Sequence, residues 1–295
     1  MYYKPDWEAA RKRLEAFWAG EVLDRCPVAV LAPREAAATA TPAASDPAWL
    51  ANTHFGGEAV PAAPGDPDLI ERCRGRYFIG NPELSGAGDT LLRTRGLDQL
   101  CADLIERPAA VHQAVDALTS EWIECHEAFY RRASEANHGA GVLAWPNLWA
   151  PGRHALLACD FSAVISPSAF RRFFLPEIER ESAWCEYCTY HLDGARAMKA
   201  HLPALLEQEG IDVIQFSPGH APALSPEFIP RYKQIQASGK RLYLPVEPDE
   251  IEPLLAGLSP KGLFLSTHAD SQAEADALLA RVAKCCAARN VFPVS

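Results

Sequence analysis

Two short apolar runs, Thr189-Tyr-His-Leu-Asp-Gly194 and Gly210-Ile-Asp-Val-Ile-Gln-Phe-Ser-Pro-Gly219, each end in polar, chain-turning residues, with a helical segment from Ala195 to Gln208 between them. A strand, a helix and a second strand in that order form a parallel unit whose chemistry sits at the C-terminal strand ends. The pattern repeats along the chain. Trp7 to Ala19 has helical apolar spacing, and Pro27 to Ala32 reads as a buried strand stopped by Pro33. Tyr77 to Gly80, Gly141 to Trp145, Lys240 to Leu244 and Gly262 to His268 read as further strands. Helices are expected over Leu97 to Leu104, Ala109 to Glu135, Ser168 to about Cys185, Pro226 to Ala237, Pro248 to Leu258 and Asp270 to Arg289.

A parallel sheet with helices outside follows, and at 295 residues its commonest closed form is a single TIM-type (β/α)8 barrel spanning residues 1–295. Seven strands are legible rather than eight, so one strand is irregular or the barrel is incomplete. Residues 1–26 form an N-terminal helical segment, and 36–76 a short, loop-rich excursion. Within that excursion, Ala, Thr, Pro and Ser dominate residues 36–48, and Trp49 to Gly57 is a polar-aromatic segment suited to lining a cavity.

His191 and Asp193 are two residues apart, so in a strand they share a face near its C-terminal end. An imidazole and a carboxylate so placed hold a divalent metal or work as a proton-transfer couple. His268 ends the last strand and faces the same mouth, which makes His191, Asp193 and His268 a candidate metal triad with one open position. Cys185-Glu-Tyr-Cys188-Thr-Tyr-His191 offers a second, weaker zinc pattern if its cysteines lie on a helix. The loop Asn81 to Asp89 reads as a site loop, with Asn81 as a binding residue, and Pro146 to Arg153 brings Trp149 and Arg153 to the mouth.

A net charge of −10 with no Lys/Arg-rich run argues against a nucleic-acid surface. No apolar stretch approaches membrane-spanning length and the start lacks a signal-peptide pattern, so a cytoplasmic protein without a membrane partner is expected. Nine scattered cysteines are unlike a secreted disulfide framework. Phosphate-cradling glycine motifs and a serine-hydrolase elbow are also missing from the sequence.

The chain resembles the uroporphyrinogen decarboxylase superfamily, in the branch of decarboxylase-like proteins related to cobalamin-dependent methyltransferases. The resemblance runs through Tyr2-Tyr-Lys-Pro-Asp-Trp7, Ile79-Gly-Asn-Pro82, Leu148-Trp-Ala-Pro-Gly-Arg153, Cys159-Asp-Phe-Ser-Ala-Val-Ile-Ser-Pro167, His191-Leu-Asp-Gly194 and Leu263-Phe-Leu-Ser-Thr267. It implies a TIM-type barrel with a cleft at its C-terminal face. Three departures accompany it. Asp24-Arg-Cys-Pro27 stands where the decarboxylases carry an arginine-rich carboxylate-binding motif, which speaks against tetrapyrrole decarboxylation. His191-Leu-Asp193 stands where the methyltransferases carry His-x-Cys, which gives zinc a harder ligand set. The connection between Phe55-Gly-Gly57 and Tyr77 is shorter than in similar proteins.

The resemblance implies a zinc-dependent methyltransferase acting on a small molecule, because zinc lowers the pKa of a bound thiol to leave a thiolate nucleophile. The cobalamin would ride on a separate corrinoid protein, since this chain lacks a corrinoid-binding motif. Asp160 and Gln215 would contact substrate, with Trp149, Tyr190 and Arg153 shaping the pocket, and a homodimer through the outer helices is compatible with this reading. The alternatives are a metal-free decarboxylase or lyase, in which Asp193 or Asp160 stabilises a protonated intermediate while Arg153 holds a carboxylate, and a non-catalytic binding protein.

Overall fold

The computed structural model describes residues 1–34 and 47–288. Most of the Ala/Thr/Pro-rich loop read above, and Arg289 at the expected end of the last helix, therefore lie outside the described residues. The strands are β1 (Val28–Pro33), β2 (Thr53–Gly57), β3 (Ala62–Ala63), β4 (Phe78–Ile79), β5 (Gly141–Leu143), β6 (Leu148–Ala150), β7 (His154–Ala158), β8 (Tyr187–Asp193), β9 (Val213–Ser217), β10 (Arg241–Pro245) and β11 (Leu263–His268). Seven of them form one sheet in the order β2-β1-β11-β10-β9-β8-β7, parallel except for β2, which runs antiparallel along β1. The helices Leu175–Trp184, Gly194–Leu206, Ile229–Ala237, Ile251–Gly257 and Gln272–Ala287 fall before or between these strands or close the series, as parallel crossovers require.

Both faces of this sheet are buried, which is why its strands read as near-continuous apolar runs. Val28, Val30, Ile214, Phe216, Leu242, Leu244, Leu263 and Leu265 join one core with the helix layer. The alternating positions Ala29, Val213, Tyr243 and Phe264 join a second core with Trp7, Leu14, Phe17 and Trp18 of the first helix, Trp7–Trp18. There Tyr243 stacks on Phe264 at a centroid distance of 4.6 Å, and Phe264 meets Phe17 at 5.7 Å.

The last strand pairs with the first, but the remaining wall is not a regular ladder. The segments β3 and β4 form a two-residue parallel pair, and β5 and β6 a short antiparallel one, so a closed eight-stranded ring is not shown. Asparagine side chains stand in for missing strand partners. Asn137 accepts from the Ile79 N–H at 3.0 Å and donates to its carbonyl at 2.7 Å, and Asn147 does the same for Val60 at 2.7 Å each way. Asn81 donates from its amide to the His154 carbonyl, while its own backbone N–H reaches Val142. The Asn137 and Asn147 amides each supply one donor and one acceptor, as a peptide group demands.

The sheet also differs from the sequence reading in which runs it uses. His154-Ala-Leu-Leu-Ala158 is a strand that a short, fully apolar run does not distinguish from helix, and Thr53–Gly57 is an edge strand within the polar-aromatic segment. Gly57 permits the latter, because it has φ +60° and a Cβ there would sit 2.0 Å from the Val28 carbonyl oxygen. Gly57→Ala is expected to lower the thermal midpoint markedly, whereas Gly20→Ala, in open space at a similar φ, should cost much less; equal costs would refute the close-approach argument.

Candidate active site

The C-terminal ends of β1, β9, β10 and β11 open onto a cavity of about 970 Å³. Strand parity turns Leu31, Gln215, Ser217, Pro245, Ser266 and His268 toward it, Phe55 reaches it from β2, and Trp49, Trp145 and His220 reach it from the segments between strands. The Trp145-Pro146 peptide is cis, and the Pro146 carbonyl accepts the Tyr243 hydroxyl, which fixes the loop that carries Trp145. Leu31, Trp49 and Trp145 are 38%, 41% and 47% exposed, so three of the large apolar side chains left open to solvent border one cavity.

His191 adjoins this cavity through two of its lining residues, with its ring 5.0 Å from that of Trp145 and its Nδ1 against Gln215. It faces Gln215 because the two are register partners on adjacent strands. The Gln215 amide nitrogen donates to the Ser217 hydroxyl at 3.1 Å, which leaves its oxygen to accept from His191 Nδ1. That contact puts the proton of the neutral ring on Nδ1 and leaves Nε2 as the basic atom. Nε2 stands 3.9 Å from Asp160 Oδ1.

Asp160 opens the one-turn helix Asp160–Val164, held by Asp89, whose carboxylate accepts the N–H groups of Asp160 at 3.0 Å and Phe161 at 2.8 Å. Partial burial, and then the neighbouring carboxylates of Asp89 and Asp193, push the Asp160 carboxyl above the ordinary aspartate range, with His191 pulling the other way. A base oriented from behind and faced by a carboxylate is equipped to take up a proton and stabilise the resulting imidazolium.

The remaining sequence candidates are dispersed. Asp193 shares the His191 face, as its spacing predicts, but is solvent-exposed at the start of the Gly194–Leu206 helix. His268 is 64% exposed and 3.8 Å from Glu247. Two strands, β9 and β10, separate His268 from β8, a span of about 14 Å along the sheet. Cys188 is buried on the helix side of β8, and at three residues from His191 on a strand it points to the opposite face. Among the described residues no three His, Cys, Asp or Glu side chains are grouped to hold a metal. Because His268 is two strands away from β8, the three side chains do not converge on one zinc ion, although the Gln215 contact leaves His191 Nε2 free in the way usual for a metal-binding imidazole.

Trp149 is buried against Trp7, at 5.7 Å between rings, and its carbonyl accepts the Trp18 indole N–H at 2.8 Å. Arg153 precedes β7, so it sits at the N-terminal end of that strand, beside Glu186 at 3.4 Å and over Trp184 at 5.8 Å. Both are at the end opposite the cavity. Tyr190 alternates with His191 and is buried among the helices, where burial raises its phenol pKa. Asn81 is one of the wall-stitching amides rather than a ligand-facing one.

No family model matches the chain, and no curated protein does. The site is therefore read from its own residues. Trp145, His220 and Glu247 were not singled out from sequence, although all three follow apolar runs at their C-terminal ends, where parallel sheets put chemistry.

Behind Asp89 lies a buried carboxyl pair. Glu177 accepts the Ala87 N–H at the start of the Ala87–Arg95 helix, and one oxygen each of Glu177 and Glu181 has no hydrogen-bond partner. Burial foremost, with Asp89 adding to it, raises the Glu177 carboxyl from 4.5 to about 7. A folded-state value above the unfolded one means that the native state holds the extra proton, so stability falls as pH rises from 4.5 through about 7 and then levels off. Thermal unfolding across this range should show that decline, and Glu177→Gln should flatten it. A decline of equal slope in the variant would place its origin elsewhere.

Proposed function

We propose that the chain is an enzyme that performs metal-free acid–base chemistry, of the lyase type, on a small molecule in the cavity, with His191 as the proton-transferring group. The observation that carries this reading is the Gln215–His191–Asp160 series at the cavity edge. His191 Nε2 takes a proton from the substrate, the electron pair of the broken bond forms a double bond as the adjacent bond to the leaving group breaks, and the imidazolium faced by Asp160 gives the proton to the departing fragment. A carboxylate-bearing substrate has little support, because among the described residues no Lys or Arg lines the cavity and Arg153 is at the far end.

Corrinoid-assisted methyl transfer is a second reading. The family resemblance favours it, as do the exposed Trp49, Trp145 and Leu31 at the mouth, which suit a flat apolar partner group. The finer fold assignment, a TIM-type barrel with an irregular wall, belongs to the same proposal. It is supported by the parallel pairing of the last strand with the first and by the amide-stitched segments β3 to β6.

The test combines two measurements. The wild-type protein and His191→Ala are incubated with a defined library of small metabolites in deuterated water and followed by mass spectrometry, and both are assayed for metal content. Turnover that depends on His191, without stoichiometric metal, is expected. About one zinc per chain, lost in His191→Ala, would overturn the metal-free reading in favour of transfer. Turnover that survives His191→Ala would remove His191 from the chemistry, and saturable binding without turnover would leave a binding protein.

A further inference from the structure

We infer that the cavity takes an organic cation, a quaternary or protonated amine carrying an apolar body; this rests on the cavity being the substrate site. Two independent sets of side chains point there. The first is aromatic. Trp49 and Trp145 line the cavity and are 41% and 47% exposed, with Phe55 and Tyr243 also in its wall. Exposed indole faces in a concave site are poorly hydrated, and their negative faces attract a cation within about 6 Å of the ring.

The second set is electrostatic. Glu247 and Asp249 line the cavity and are solvent-exposed, and Asp160 and Asp193 stand beside His191, which adjoins the lining residue Gln215. Glu250 also lines it, but its two oxygens accept the N–H groups of Leu224 at 2.9 Å and Glu247 at 3.0 Å, so its charge is fixed in the wall. Among the described residues no Lys or Arg lines the cavity. His268 is the cationisable neighbour of Glu247, and at 3.8 Å it leaves room for a competing cation. The field in the cavity is therefore negative, in the direction of the whole chain's −10 charge. An anionic substrate would enter against that field with no counter-charge to meet it.

The inference gives the pocket a division of labour. The aromatic walls hold the charged head, and His191 with Asp160 meets the part of the molecule that reacts. Trp145 is the contact between the two, since its ring lies 5.0 Å from that of His191.

Tryptophan fluorescence titration of the intact protein tests this with three probes of like shape: choline, its uncharged isostere 3,3-dimethylbutan-1-ol, and 3,3-dimethylbutanoate. Choline should bind saturably, the alcohol about ten-fold more weakly and the carboxylate not at all, with Trp145→Leu weakening choline about ten-fold. Glu247→Gln should weaken choline and leave the alcohol unchanged. If the alcohol binds as well as choline, or the carboxylate binds best, the cation inference is overturned while the cavity stands as a substrate site. If no probe binds yet the His191-dependent turnover described above is found, the cation inference again fails alone. His191→Ala should keep choline binding, which separates failure of the chemistry from failure of the recognition.

Discussion

Glu58→Ala is expected to destabilise the fold by about 3–5 kcal/mol, the cost of leaving one partner of a buried ion pair without its counter-charge. Glu58 is fully buried and Arg25 nearly so. The carboxylate accepts from both terminal nitrogens of Arg25, from Arg13 at 3.5 Å and from the Val28 N–H at 2.7 Å. Val28 opens the first strand, which pairs with both the last strand and the antiparallel edge strand. The substitution thus strands a guanidinium in the interior and removes the acceptor at the start of the strand that joins the two ends of the chain. Against a typical total of about 5–15 kcal/mol, the loss should appear as a large drop in the urea midpoint. Glu58→Gln, which keeps an acceptor for Val28, should recover part of it. An unfolding free energy within about 1 kcal/mol of wild type for Glu58→Ala would show that the pair is not needed.

His191→Ala should reduce turnover by about 10²–10⁴-fold, the range that a positioned general acid or base contributes. Its neighbours should act in graded fashion. Gln215→Leu removes the acceptor that holds the proton on Nδ1, so kcat should fall with little change in KM. Asp160→Asn keeps the shape but not the charge that meets the imidazolium, and its loss should be smaller than that of His191→Ala. It should also remove the contribution of Asp160, whose carboxyl is held above its usual range, from the acid limb of the pH–rate profile. Unchanged kcat in Gln215→Leu would mean that the amide packs against the ring without orienting it. Circular dichroism on each variant separates these effects from misfolding.

Strand parity made the centre of the site legible in advance. His191 and Asp193 share a face because they are two apart, and Gln215 meets His191 because parallel neighbours in register turn like positions the same way. The same rule excludes Tyr190, which alternates with His191, and excludes Cys188 once its segment is known to be extended rather than helical. Trp149 and Arg153 were expected at the mouth because the run at His154–Ala158 carries no periodicity to mark it as a strand. Without that strand, residues preceding it are assigned to the C-terminal end of the wrong element. His268 follows the strand-end rule correctly, but strand order, which local pattern does not reveal, puts two strands between it and β8. Trp145 depends on a cis peptide and a long-range hydroxyl contact to Pro146. Neither leaves a trace in local spacing.

The asparagine-stitched wall has a consequence for how the protein behaves in company. An open sheet normally offers two rows of free peptide groups to any passing extended chain, and such rows nucleate aggregation. Here β7 is flanked by β5 and bound by the Asn81 amide, and on β2 the buried Lys4 ammonium donates to the Phe55 carbonyl at 2.8 Å. A strand arriving from another molecule would meet side chains already seated where its own backbone must bond. These seated side chains thereby hinder strand addition at the two edges of the sheet.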